Sequence, residues 1–147
     1  MSEREPASRL QIWLSAYLIA AVTFALIDAV WLGVVANRLY QSELGHLLAE
    51  TFDPVPAVLF YLLYIVGLIH FAVRPNDADR SLGQRLLDAA LFGLVTYATW
   101  DLTSAAVFRD FPWTVVVIDL AWGVFVCTTV KASTWWLLTR RGLLPRT

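Results

Sequence analysis

The sequence predicts an all-α membrane protein: a four-helix transmembrane bundle with both termini in the cytoplasm and a short amphipathic helix in the first outer loop. Three observations predict it. The chain is 59% hydrophobic, against about 45–50% apolar residues in a soluble domain. Four apolar stretches each reach the roughly 17–25 residues that a span requires. The arginines fall mostly on one side of the arrangement that those stretches define. No composition shift marks a second unit, so residues 1–147 form a single transmembrane domain.

The first helix covers about residues 10–36. Its early part could pass for the apolar region of a signal peptide, but it is too long, and no small-x-small cleavage site follows it. We therefore expect a retained helix. Residues 37–54 form an outer loop in which Leu39, Tyr40, Leu44, Leu47 and Leu48 recur at helical spacing, with Gln41, Glu43 and Glu50 elsewhere. A short helix is expected there, lying on the membrane surface or folded over the bundle mouth. The second span covers about residues 55–73, after Pro54 and Pro56, which suit a helix start because a missing N–H costs nothing there. A polar, turn-rich connector follows over residues 74–81. The third span covers about residues 86–108, and the fourth about residues 113–138 after a tight turn ending at Pro112.

Four spans put the N-terminal tail, the second loop and the C-terminal tail on one side. That side holds Arg4, Arg9, Arg74, Arg80, Arg85, Arg140, Arg141 and Arg146; the other holds Arg38 and Arg109. Eight against two sets the first group in the cytoplasm of a bacterial inner membrane. Lys131 lies near the inner end of the last helix and is expected to snorkel to the interface. Trp13, Trp135 and Trp136 suit the inner interfacial belt and Trp113 the outer one.

Three aspartates break the apolar pattern: Asp28, Asp101 and Asp119. Each ionised carboxylate in hydrocarbon costs roughly 2.5–3.5 kcal/mol on insertion scales. They must pair, carry a proton, hold a cation or face water. Counted from the outer helix ends, all three lie at depths of roughly 9–12 Å at 1.5 Å per residue. Equal depth on three helices is compatible with one polar site in the outer half of the bundle. The second helix brings Tyr61 and Tyr64 to that height. Trp31, Trp100, Trp122 and Tyr97 lie beside the aspartates in sequence, and all can donate hydrogen bonds. In the bland alternative these donors and the aspartates merely hold the helices together.

The surrounding sequences echo one another. Asp28 and Asp119 are each followed three residues later by tryptophan, Trp31 and Trp122, on the same helix face. On the third helix Ala89, Gly93, Tyr97, Asp101 and Ala105 follow at intervals of four, a spacing that permits close helix approach. Arg109 and Arg38 stand eight and ten residues beyond the nearest aspartates and are expected to point to water. The site must then be neutralised by protons or a bound cation.

His46, in the outer loop beside Gly45, is a candidate cap over the aspartates or a proton port if the loop folds inward. His70 reads as interfacial. No metal motif of the His-Glu-x-x-His kind is present, so we assign no metal ligands, and no cofactor is named by the sequence. The single Cys127 reads as a small core residue. A net charge of −1 gives no basis for nucleic-acid binding.

In combination, Asp28-x-x-Trp31-x-Gly33, Leu44-Gly45-His46-Leu47, the run from Phe60 to Tyr64, Gly93-x-x-x-Tyr97-x-x-x-Asp101-Leu102-Thr103 and Asp119-x-x-Trp122-Gly123 resemble the bacterial membrane protein family called domain of unknown function 2177. The resemblance covers roughly residues 10–138. It implies a four-helix inner-membrane protein and supplies no catalytic residues.

Three functions fit the residues. The first is binding or transport of a proton, cation or small ligand at the aspartates, with a homo-oligomer expected because four helices make a thin pathway. The second is an integral-membrane enzyme of lipid or fatty-acid modification, with the aspartates as general acid and base or as holders of a metal. The third is a non-catalytic assembly subunit or holder of an apolar ligand. The sequence has no nucleophile–base pair, phosphate loop or Cys/His cluster, and this favours the first.

Overall fold

The computed structural model describes residues 7–75 and 80–144, and among these every regular element is helical. Arg4, Asn76, Asp77, Ala78, Asp79 and Arg146, used above for charge bias or as connector, lie outside the described residues. The first helix, α1, spans Arg9–Trp31 and is capped by the Ser8 side chain, which accepts from the Gln11 amide at 3.1 Å. Leucine or valine recurs every four residues along one face, at Leu10, Leu14, Leu18, Val22, Leu26 and Val30, and all six are exposed. Exposed apolar surface of this extent marks a membrane or protein contact, and the strip suits a lipid-facing side. The opposite face, also at steps of four, is Ala16, Ala20, Phe24 and Asp28, and all are buried.

The chain does not enter a loop after α1. It passes through one wide π turn, Leu32–Ala36, straight into α2, Asn37–Leu44. No proline interrupts this stretch, so nothing ends the helix. The extra residue in the turn rotates the next face. That rotation seats Leu44 in a cluster with Phe111, Val115 and Val116, and Leu39 and Tyr40 pack against it. The expected amphipathic helix therefore exists, joined to the first span and folded against the start of the last one. Leu47 and Leu48 remain exposed.

Helix α3, Pro54–Gly67, starts on Asp53, whose carboxylate accepts from the Val55 amide at 2.9 Å. It also ends in a wide turn, Leu68–Val73, closed by Arg74 at φ 47° with its amide on the Ile69 carbonyl at 2.9 Å. Helix α4, Leu82–Val107, opens with a capping box between Ser81 and Gln84, four residues earlier than the hydropathy implies. Helix α5 is Trp113–Arg140.

Among the described residues, three segments are long and apolar enough to cross a membrane: Arg9–Leu44, Pro54–Val73 and Trp113–Arg140. With 26 residues, α4 matches them in length but carries two aspartates and several hydroxyls. Its threonines satisfy themselves: Thr96 donates to Phe92 O at 2.8 Å, Thr99 to Val95 O at 2.7 Å, and Thr103 to Thr99 O.

Helix α4 lies tightest against α5. A Cβ on Gly93 would collide with the Gly123 carbonyl, and one on Gly123 would stand 2.5 Å from the Tyr97 ring. The small-residue face read from the sequence thus lets two backbones touch. By contrast, α3 approaches α4 closely only through its wide inner turn, Leu68–Val73. Outward of Gly67 the two helices part, and a cleft opens between them.

Lys131 does not snorkel. It is 2% exposed and donates to the carbonyls of Ala72 (3.0 Å) and Val73. The wide turn leaves those carbonyls without helical partners, and the ammonium satisfies them. Trp135 is not a free belt residue either. The buried Arg85 guanidinium lies 3.6 Å from its ring centroid, and Lys131 lies 5.4 Å from it. Trp113 and Trp136 are exposed, as an interfacial position requires.

Candidate functional site

All three aspartates are buried on the inward faces of their helices. Asp28 is 6% exposed, Asp119 2% and Asp101 0%. On α5 the buried sequence Val115, Asp119 and Gly123 steps by four; on α4 Ala89, Gly93 and Asp101 belong to the same face. The periodicity that builds the core therefore aims the carboxylates inward.

They do not form a single triangle. Asp101 and Asp119 lie on the two helices of the α4–α5 contact, with Asp101 within reach of the Asp119 charge. Asp28 sits with Tyr61, whose hydroxyl donates to Oδ2 at 2.5 Å. It also lies near the Trp122 indole, whose N–H has no hydrogen-bond partner among the described residues. Trp122 is three residues inward of Asp119 on α5. The carboxylates therefore fall into two levels of the site, Asp28 with Tyr61 and Trp122, and Asp119 with Tyr40. Tyr97 stands between the two levels, within electrostatic reach of both Asp28 and Asp119.

Tyr40 closes the outer level. Its hydroxyl donates to Asp119 Oδ2 at 2.5 Å. The sequence reading placed Tyr40 in the amphipathic helix without giving it a role at the site; its place on the apolar stripe of a helix able to fold over the mouth was the available signal. The residue considered for that position, His46, is exposed and does not reach the cavity. Three carboxylate oxygens have no hydrogen-bond partner among the described residues: both of Asp101, and Oδ1 of Asp119.

A cavity of about 320 Å³ connects the levels. Asp28 and Asp119 line it, with Trp31, Tyr40, Tyr61, Tyr64, Tyr97 and Trp100 among the aromatic walls. Asp101 lies behind Asp119, outside the lining. Trp122 stacks on Trp31 and likewise does not line the space. Tyr64 forms the floor, its hydroxyl 3.3 Å from Thr96 Oγ1 and 3.1 Å from Cys127 Sγ. Cys127 is fully buried there. His70 is exposed and packs edge-on against Phe71. No lysine or arginine lines the cavity. Among the described residues, no three His, Cys, Asp or Glu side chains come together as metal ligands. The arrangement offers acceptors and π faces to whatever enters and opposes them with no fixed positive charge.

A family model described as predicted membrane protein (DUF2177) matches residues 13–136. No curated protein matches the chain, and no solved structure does.

Proposed function

The chain belongs to the predicted membrane protein family DUF2177, and on that premise we propose that it binds or carries a proton, a cation or a small ligand at its intramembrane aspartates. In this reading α4 is a fourth span, both termini are cytoplasmic, and the protein is a multi-pass component of a bacterial inner membrane. The arginine bias supports that orientation. The site then lies in the outer half of the bundle. Carriage across the membrane calls for a second copy of the chain, since four helices leave little room for a pathway.

One observation carries the proposal: three buried, unpartnered oxygens on adjacent carboxylates, beside a cavity without a basic side chain. Removing one ion from water without a partner costs several kcal/mol, and a second like charge nearby adds to that cost. A proton or a cation removes the penalty. Intramembrane ionisable groups mark ion and substrate pathways for this reason.

The test is flux in proteoliposomes. Purified protein is reconstituted, and proton and monovalent-cation movement is followed with Asp28→Asn, Asp101→Asn and Asp119→Asn beside the unaltered chain. The proposal expects each substitution to abolish flux or bound cation while the protein stays folded. Equal flux and equal binding in all four proteins would remove it.

A further inference from the structure

We propose that the cavity takes an organic ammonium group, admitted sideways from the outer half of the membrane between α3 and α4. This deepens the reading above and rests on it, because it names the chemical class that the same site receives.

The walls select the class. Two carboxylates, on Asp28 and Asp119, face a space otherwise bounded mainly by aromatic rings. Asp119 is 2% exposed, and its Oδ1 has no hydrogen-bond partner among the described residues. Aromatic faces attract cations, most strongly when both are out of water. An inorganic divalent ion needs about six to eight oxygen ligands at short range. Here the neighbouring backbone carbonyls are occupied within helices, and the described residues bring no third acidic ligand to the pair. An anion would meet two like charges and the negative ring faces. An ammonium bearing alkyl groups satisfies both features: its charge meets the carboxylates and its C–H surface lies on the rings. About 320 Å³ is within the roughly 300–1,000 Å³ of small-molecule sites.

The route follows from the helix packing. Outward of Gly67, α3 has no close backbone contact with α4. Phe60 on α3 and Trp100 on α4 line the cavity and are 52% and 58% exposed on the bundle surface. In the four-span reading they flank an opening that faces the lipid rather than the water. Tyr40 covers the aqueous end above Asp119. A ligand arriving this way must itself partition into the bilayer. Both an amphiphilic amine and the ammonium headgroup of a lipid meet that condition.

The protein is placed in nanodiscs of phosphatidylglycerol alone, and saturation binding of radiolabelled dodecyltrimethylammonium is measured. A neutral analogue with a tert-butyl head serves as competitor. The proposal expects saturable binding that the neutral analogue does not displace. It expects Asp119→Asn to weaken binding on the order of 30-fold or more, and Trp100→Ala, at an exposed position, to weaken it about threefold. Repeating the assay in phosphatidylcholine separates the sources: loss of binding there means that the lipid headgroup occupies the site, and unchanged binding means that a free amine does. Non-saturable uptake in phosphatidylglycerol overturns the proposal, and so does equal competition by the neutral analogue. Because that comparison needs no substitution, a variant that fails to fold leaves it decisive. Absent ammonium binding with aspartate-dependent proton or cation flux removes the ligand class alone; absence of both removes the polar-site reading as well.

Discussion

Trp31 and Trp122 stack face to face, their ring centroids 4.3 Å apart and their planes 8° from parallel. Each stands three residues from an aspartate, Asp28 on α1 and Asp119 on α5. The helices run in opposite directions here, so the pair lies inward of one carboxylate and outward of the other. The stack ties the Asp28 and Asp119 helices together beside the site, with Trp31 on the cavity wall. A sequence echo, Asp-x-x-Trp on two helices, thus becomes a geometric relation.

The tyrosine donors are predicted to be separable from the fold. Tyr40→Phe and Tyr61→Phe each remove one hydrogen bond to a carboxylate, worth about 1.5–3 kcal/mol when the partner is charged. We expect both variants to fold, with thermal midpoints lowered by a few degrees, and with proton or cation flux reduced in each. Midpoint and flux measured on the same preparations check this; a lowered midpoint with unchanged flux would make the tyrosines structural only.

Gly93 and Gly33 should respond oppositely to alanine. A methyl at Gly93 meets the Gly123 backbone, whereas one at Gly33 meets nothing within 4 Å. Gly93→Ala is expected to cost about 1–3 kcal/mol or more by overpacking. Gly33→Ala should be neutral or stabilising by up to about 1 kcal/mol. Thermal unfolding in detergent distinguishes them, and equal effects would contradict the close contact between α4 and α5.

Lys131→Met is predicted to destabilise the protein by about 1–3 kcal/mol, because the carbonyls of Ala72 and Val73 lose their donor. A snorkelling lysine at the same place would give a change near zero. Unfolding midpoints of Lys131→Met and Arg140→Met, the latter at an exposed position, provide the comparison.

The four-span arrangement predicts a labelling pattern. Cysteines introduced at Gly45 and Asp110 should react with an impermeant maleimide added to the outside of intact cells. Cysteines at Gly83 and Gly142 should react only after the membrane is opened. Cys127, fully buried, should stay silent in both conditions. Outside labelling at Gly83 would invalidate the fourth span or the orientation.

Much of this was legible in the chain because apolar spacing and carboxylate cost act locally. The buried faces at Asp28, Asp101 and Asp119 follow from helical period alone, and the small-residue face of α4 gave its contact with α5. What escaped depends on relations between helices. The wide turns at Leu32–Ala36 and Leu68–Val73 have no sequence mark, yet they swing Tyr40 over Asp119 and leave carbonyls for Lys131. A lysine two turns from a helix end reads as a snorkeller until a neighbour offers unsatisfied acceptors.

The central claim is that the Asp101–Asp119 pair carries a compensating positive partner inside the bundle. Infrared spectra of the protein in nanodiscs at neutral pH, washed with chelator and free of small cations and amines, address it most directly. The account predicts a protonated-carboxyl C=O band that disappears when Asp101→Asn and Asp119→Asn are combined. A wild-type spectrum with no such band, all its carboxylates ionised and hydrated, would contradict it.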